Sequence, residues 1–341
     1  MRIKTVMDIK EKSKMKAMLV DEKQRLVWSD VAYPVLSDDS IIIEVEAAAL
    51  NRADLLQRVG KYPSPKGWPE WMGLEVAGTV KEMGSTAKEN SPFKIGDPVC
   101  ALLGGGGYAE YVAVPYNMVM PVPKGMSMAV ASSLPEAYAT SYLNLFYEGH
   151  LKEGQTIYIA AGASGLASVA IPMAKAFGAK VVTSVLSEEI AKNIAHLGAD
   201  IVVDTSKTKL EDVFAELDAK GESVNVAMDC LCGDTLGKCL QYMAEGGYWV
   251  VISTLAGIET NVYLRPLLTR GLHLVGSMLR KRSVKEKADL LAELVERVWP
   301  KLESGEIKPT VYKILPMSKA EEAHAILERG ENIGKVVLTL K

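Results

Sequence analysis

The chain has 341 residues, 48% of them hydrophobic and 24% charged, enough to bury the cores of two domains. A formal net charge of −3, dispersed along the chain, offers no basic field for nucleic acid or an acidic membrane. No apolar stretch reaches the length of a membrane span, and the first residues, MRIKTVMDIKEKSK, lack the apolar centre of a secretion signal, so a cytoplasmic location is expected.

In chain order, the residues before Met15 are expected to be a short extension ahead of the folded part. The runs KAMLV and IIIEVEAAAL are strand-like, and NRADLLQRVG at 51–60 is a helical turn closed by glycine. A proline-rich loop follows at 61–69, carrying Tyr62 and Trp68. Residues 73–83 read as a strand, and the run Gly104 to Gly107 leads into the strand YAEYVAVP. This first third is glycine-punctuated β-structure, expected to form a partly closed barrel or a sandwich.

Residues 129–148 are expected to be helical. Next comes QTIYIAAGASGLASVAIPMAKAFGAKVVTSVL, 155–186, around which the chain is arranged. Residues 156–161 form a short β-branched apolar run, 162–165 a small-residue turn, 166–177 an apolar helix and 181–186 a second strand. Such a turn brings backbone N–H groups and a helix N-terminus up to a pyrophosphate, so it predicts dinucleotide binding. A purely structural turn would look similar. Ala167 stands where a third glycine is common, and Pro172 removes a helical hydrogen bond.

Ser187 is a good N-cap for a further helix that ends at Leu197-Gly198. Short apolar strands at 201–203, 224–229 and 249–252 alternate with helices near 209–219 and 234–243, the pattern of a doubly wound parallel sheet. Residues 273–278 are expected to be a last strand and 284–302 a long helix, and 310–341 has short-strand character. The four cysteines, Cys100, Cys230, Cys232 and Cys239, have neither zinc-site nor disulfide-framework spacing and read as buried or half-buried thiols. His150, His196, His273 and His324 read as structural, and Asp54 and Glu75 as hydrogen-bonded barrel residues rather than acid–base catalysts.

The segments NRADLLQRVGKYP, GLEVAGTV, GGGGYAEYVAVP, LPEAYATSYLNL, the glycine turn, MDCLCG and AHAILERGENIGKVVLTL occur in this order. With them the chain resembles the medium-chain dehydrogenase/reductases, and most closely their zinc-independent quinone oxidoreductase branch, the zeta-crystallin-like enzymes. The resemblance implies an α/β protein with a GroES-like β-barrel over 1–137 and 301–341 and a Rossmann domain over 138–300. It also implies a nicotinamide cofactor, NADP(H) ahead of NAD(H), and a homodimer or homotetramer in which residues 273–278 pair with their symmetry mate. Where zinc alcohol dehydrogenases carry a cysteine and a histidine this chain has Asn51 and Leu74, and 81–98 lacks their four-cysteine lobe.

By the same resemblance Tyr62 and Asn51 are the candidate catalytic residues. The candidate cofactor contacts are Asn51, Thr140, Ser164, Gly165, Leu166, Ser184, Lys192 and Thr254. Asn51 also reads as a helix-start cap, and Tyr62 as a packed loop aromatic. NADPH-dependent members hold the 2′-phosphate with a glycine, a lysine and a tyrosine where this chain has Leu186, Ile190 and Thr205. Ser184, Ser187 and Lys192 remain as possible phosphate contacts, and the second strand ends without the acidic residue that would select NAD. Without a metal to polarise it, the acceptor must itself be a good hydride sink, a small-molecule quinone or α,β-unsaturated carbonyl. Two alternatives stay open: an enoyl-thioester or specialised enone reductase, and a binding protein that kept the fold without the cofactor.

Overall fold

The computed structural model describes residues 14–340. The expected N-terminal extension lies outside the described residues, apart from Lys14, which begins the first strand. The chain divides into two compact units. One runs to Glu136 and includes Ser283–Val295 and Val311 to the C-terminus; the other is Ala137–Arg282 with Glu296–Thr310. The expected division near residue 300 thus falls differently here, because the helix Val284–Glu303 contributes its first part to one unit and its second part to the other.

In the first unit the strands are β1 (Lys14–Val20), β2 (Leu26–Ala32), β3 (Ser40–Ala49), β4 (Glu75–Met83), β5 (Pro98–Leu102), β6 (Tyr111–Pro115) and β7 (Val119–Pro121). The second unit supplies β8 (Thr156–Ile159), β9 (Lys180–Val185), β10 (Ile201–Asp204), β11 (Val226–Asp229), β12 (Tyr248–Val251) and β13 (His273–Gly276). The chain then returns to the first unit for β14 (Val311–Pro316) and β15 (Lys335–Thr339).

The first unit is the GroES-like domain. Strands β1 and β2 form an antiparallel pair, and a seven-stranded sheet runs β14-β15-β3-β4-β5-β7 with β6 also on β3. β3 pairs with β15, β4 and β6, so it lies inside the sheet, and its sequence SIIIEVEAAA is apolar almost throughout for that reason. The glycine run has a packing cause. A Cβ on Gly104 would come within 2.6 Å of the Trp68 ring, and one on Gly105 within 2.6 Å of Ser64 Oγ. The proline-rich loop lies directly on a floor without side chains. Gln57 fastens that loop by donating to Ser64 Oγ (2.9 Å) and to the Glu70 carbonyl (2.8 Å).

The second unit is a Rossmann domain: six parallel strands in the order β10-β9-β8-β11-β12-β13. Tyr158, Phe214 and Trp249 fill its core. The order reverses between β8 and β11, and the crevice at the carboxyl ends of strands beside such a reversal is where ligands bind in open α/β sheets.

One expectation is sharpened and another corrected. Residues 129–148 are helical as expected, in three pieces: Met128–Ala131, Pro135–Tyr142 and a π-helical turn Leu143–Glu148. Pro135 lacks an N–H and disfavours helical backbone in the residue before it, so a new helix starts there. The C-terminal stretch holds a helix, Ala320–Arg329, between its two strands. Its Ala320, Ala323, His324, Ile326 and Leu327 are buried at helical spacing, a period obscured by the neighbouring strand-like residues.

Candidate functional site

In the Rossmann unit the site begins where β8 ends. Ala161 takes φ +53°, a left-handed backbone uncommon without glycine, and its carbonyl accepts the Ser164 N–H (2.8 Å). Gly162 is wedged against Thr183: a Cβ there would lie 2.5 Å from the Thr183 hydroxyl. The Ser164 hydroxyl accepts the Ala167 N–H (3.1 Å) and caps the helix Ala167–Ala176, which continues through Pro172. Among the described residues the N–H groups of Ala163, Gly165 and Leu166 have no acceptor. The turn therefore presents spare donors at a helix N-terminus beside the sheet's reversal point, which fits the pyrophosphate of a dinucleotide.

The neighbouring loops are tied down. Asp229, buried at the end of β11, accepts the N–H groups of Leu231 (2.8 Å) and Cys232 (3.0 Å) and the Trp249 indole N–H (3.0 Å). The loop after β12 donates from Leu255 and Ala256 to the carbonyls of Cys230 and Leu231. Thr254 stands exposed on that loop. Thr140 lies half-buried on the helix Pro135–Tyr142, its carbonyl accepting from Asn144 Nδ2 (2.7 Å).

At the outer end of the crevice, Ser184 is buried and its hydroxyl is hydrogen-bonded to the Tyr158 hydroxyl (2.8 Å). Ser187 caps the short helix Glu188–Asn193 by accepting the Ile190 N–H. Lys192 is exposed and pairs with Glu188 (2.8 Å). Lys207, which follows β10 and which sequence reasoning did not single out, pairs with the other oxygen of the same carboxylate (2.5 Å).

In the GroES-like unit the predicted Asn51 is the first member of a buried polar cluster. It precedes the helix Arg52–Arg58 in the N-cap position, and Asp54 reaches back to its N–H (2.8 Å). The Asn51 amide donates to Glu75 Oε1 (2.9 Å) and its oxygen accepts from Lys335 Nζ (2.7 Å). Lys335 also donates to Glu75 Oε1 (2.8 Å) and to the Leu50 carbonyl (2.7 Å), using all three of its donors while only 4% exposed. The second Glu75 oxygen accepts the Glu136 N–H (2.8 Å).

Asp54 further accepts from the Gly73 N–H (3.2 Å) and the Tyr108 hydroxyl (3.1 Å). Burial raises its carboxyl to about 6 against these donors. Burial, followed by the nearby Glu75, pushes the Glu136 carboxyl up to about 7. Tyr62 is half-buried in the loop over the glycine floor. The fixed points missed from sequence, Lys335 above all, had one signal: a lone lysine opening the apolar run KVVLTL, which needs a carboxylate once buried.

Zinc does not fit this cluster. Asn51, in the place of a ligand, has its amide engaged by Glu75 and Lys335, and Leu74 is a buried hydrocarbon. The Lys335 ammonium already supplies the positive charge beside Glu75. Among the described residues no three His, Cys, Asp or Glu side chains converge to hold a metal ion.

Comparison with known proteins agrees with both halves. Residues 37–124 match the alcohol dehydrogenase GroES-like domain family, and residues 165–296 the zinc-binding dehydrogenase family. The chain is 31% identical to the quinone oxidoreductase-like protein 2 homolog of Nematostella vectensis over 90% of this chain and 83% of that protein. It is 33% identical to the 2-methylene-furan-3-one reductase of Solanum lycopersicum over 91% of this chain and 74% of that one. The quinone oxidoreductase of Thermus thermophilus, whose structure is also known in complex with NADPH, superposes with a TM-score of 0.79 at 26% identity, covering 96% of this chain and 100% of that one. With its two domain types in this order and relatives that span nearly its whole length, the chain belongs to the medium-chain dehydrogenase/reductase family, as an oxidoreductase of the quinone oxidoreductase branch.

Proposed function

We propose that the protein is an NAD(P)H-dependent reductase of quinones or α,β-unsaturated carbonyls, working without zinc. The observation that carries the reading is the glycine turn, whose spare N–H groups lie at a helix N-terminus beside the sheet's reversal point. Gly165 and Leu166 donate backbone N–H groups to the pyrophosphate, and Ser164, by capping the helix, fixes their direction. Thr140, Thr254 and Asn51 complete the cofactor contacts, and Tyr62 is our candidate for the proton donor. Reduced nicotinamide supplies the hydride when bound, while the protein binds, orients and excludes water. The relatives named above support a quinone or an enone as acceptor.

The same reading makes the protein a homo-oligomer. Among the described residues β13 ends its sheet with an unpaired edge, Leu274 and Met278 are exposed there, and Leu264 and Leu268 are exposed close by in sequence. An apolar sheet edge is a ready template for pairing with another chain, and a symmetric second copy covers it here. The free cysteines fit a reducing compartment such as the cytoplasm.

The test is to mix the protein with NADH and NADPH and follow cofactor fluorescence, then assay quinones, enones and enoyl thioesters by loss of the reduced cofactor's absorbance, with and without a chelator. We expect turnover with quinones or enones, unaffected by the chelator. Fluorescence unchanged with both cofactors supports the cofactor-free binding protein instead. Turnover confined to thioesters moves the assignment to the enoyl-thioester reductases.

A further inference from the structure

The outer end of the crevice holds a charge arrangement that the sequence does not suggest. Glu188 stands just beyond the end of β9, and Lys207 just beyond the end of the adjacent parallel strand β10. The glycine turn follows β8 on the other side of β9, so all three open on the same edge of the sheet. One Glu188 oxygen binds Lys192 at 2.8 Å and the other binds Lys207 at 2.5 Å. Two ammonium groups from different elements are thus held by one carboxylate. Asp204 lies 4.0 Å from Lys207, and it accepts from the Ser206 N–H (3.0 Å) and hydroxyl (2.6 Å). Glu188, Lys192 and Lys207 are all more than half exposed, so the pairs are weak and exchangeable.

We propose that Glu188 is an internal stand-in for the adenosine 2′-phosphate: its carboxylate holds Lys192 and Lys207 together in the free protein and gives them up to the phosphate when NADPH binds. The inference rests on the cofactor reading above. It assigns Lys207, rather than any residue at the family positions Leu186, Ile190 and Thr205, as a specificity-determining group. A phosphate carries more charge and more acceptor oxygens than a carboxylate, so it wins the two ammonium groups. The displaced Glu188 remains nearby as a like charge, which holds the preference for NADPH down. NADH brings no 2′-phosphate, so it leaves the two lysines paired with Glu188, and both cofactors are accepted.

The test is fluorescence titration of the full-length protein with NADPH and NADH, for the parent and for Glu188→Gln, Lys207→Gln and Lys192→Gln. Thermal melting checks the fold, which these exposed positions should not disturb. We expect Glu188→Gln to raise the NADPH/NADH affinity ratio by about three- to tenfold, and Lys207→Gln to lower it by a similar factor, in keeping with exposed charge pairs. In every variant the change should lie in the NADPH constant and fade at high salt. If Glu188→Gln weakens NADH more than NADPH, the carboxylate reads the ribose hydroxyls and the proposal falls. If Lys207→Gln moves the ratio less than about twofold, a difference below 0.5 kcal/mol, the assignment of Lys207 falls as well. A parent that binds neither cofactor overturns the reading of the glycine turn, whereas a parent that binds both with ratios unmoved in the variants overturns only this inference.

Discussion

The Asn51–Glu75–Lys335 cluster and the glycine turn both carry many polar groups, yet they treat their donors in opposite ways. In the cluster every ammonium proton of Lys335 and both oxygens of Glu75 are engaged within the chain, out of water. In the turn the N–H groups of Ala163, Gly165 and Leu166 are left without acceptors among the described residues. A saturated buried network is architecture, because a missing partner there costs stability; spare donors at a half-exposed helix N-terminus are open to an arriving anion, which has only water to displace. This criterion separates the two regions better than residue type does. Asn51 belongs to both descriptions only if its backbone or its remaining surface meets the cofactor, since its amide is already committed.

The largest expected effect comes from breaking the saturated region. Lys335→Met leaves the Glu75 carboxylate buried without its cation and the Asn51 oxygen without its donor. We expect a loss of about 3–5 kcal/mol, the usual result of removing one member of a buried ion pair, measured by urea denaturation. A loss under about 1 kcal/mol, the range of exposed pairs, would show that water enters the cluster and that the contrast is overdrawn.

His324, in the same unit, is an exception that sharpens the contrast. It is fully buried, packs edge-on to Tyr108 at 6.0 Å between ring centroids, and neither ring nitrogen has a hydrogen-bond partner among the described residues. Burial, with Arg58 adding to it, lowers its imidazole to about 4 from an ordinary 6.5. The unfolded chain then binds more protons than the folded one between these values, so stability is present above pH 6.5 and is lost as the pH falls toward 4. Asp54, raised to about 6 from 3.8, acts in the opposite sense: the folded state holds the extra proton, and stability falls as the pH rises through that window. Replacing His324 by Phe removes only the first effect. We expect the variant to resist acid better than the parent by up to about 3 kcal/mol near pH 4, from denaturation midpoints at pH 4, 5 and 7. Parallel pH profiles for the two proteins would mean that His324 does not control the acid limb.

The spare donors are tested by Gly165→Val. Its side chain covers the turn where a pyrophosphate must approach the backbone, so cofactor affinity should fall at least about a hundredfold, or some 2.7 kcal/mol, with melting unchanged. A folded variant that binds both cofactors as tightly as the parent would refute the pyrophosphate assignment.

Much of this was legible in the sequence, for identifiable reasons. The strand-turn-helix-strand of 155–186 is local, and periodicity with small residues is enough to place it. The saturated cluster is not local: Lys335 lies 284 residues from Asn51, and no window of sequence joins them. Ser184 illustrates a different limit. Its position at the end of β9 suggested the phosphate, but strand alternation turned its hydroxyl inward to Tyr158. Glu188 and Lys207 are 19 residues apart with no motif joining them, and only the adjacency of β9 and β10 brings them together.

The smallest expected effect is the parent's own choice between NADPH and NADH. A fixed cation on a phosphate is worth roughly 1.5–3 kcal/mol as a charge-assisted hydrogen bond. Here the two available cations, Lys192 and Lys207, are largely exposed, where screening and side-chain entropy cut such interactions to a fraction of that value. Both must also leave Glu188, whose charge persists beside the phosphate. Leu186 is 77% exposed at the end of β9, so it contributes neither a donor nor a charge. These terms oppose one another, and the remainder favours NADPH by at most about tenfold, or 1.4 kcal/mol. Dissociation constants for both cofactors at low and physiological salt decide it, with the preference shrinking as salt rises. A preference beyond about a hundredfold, 2.7 kcal/mol, in either direction would require a buried reader of the 2′ position and would extend the saturated kind of site into the crevice.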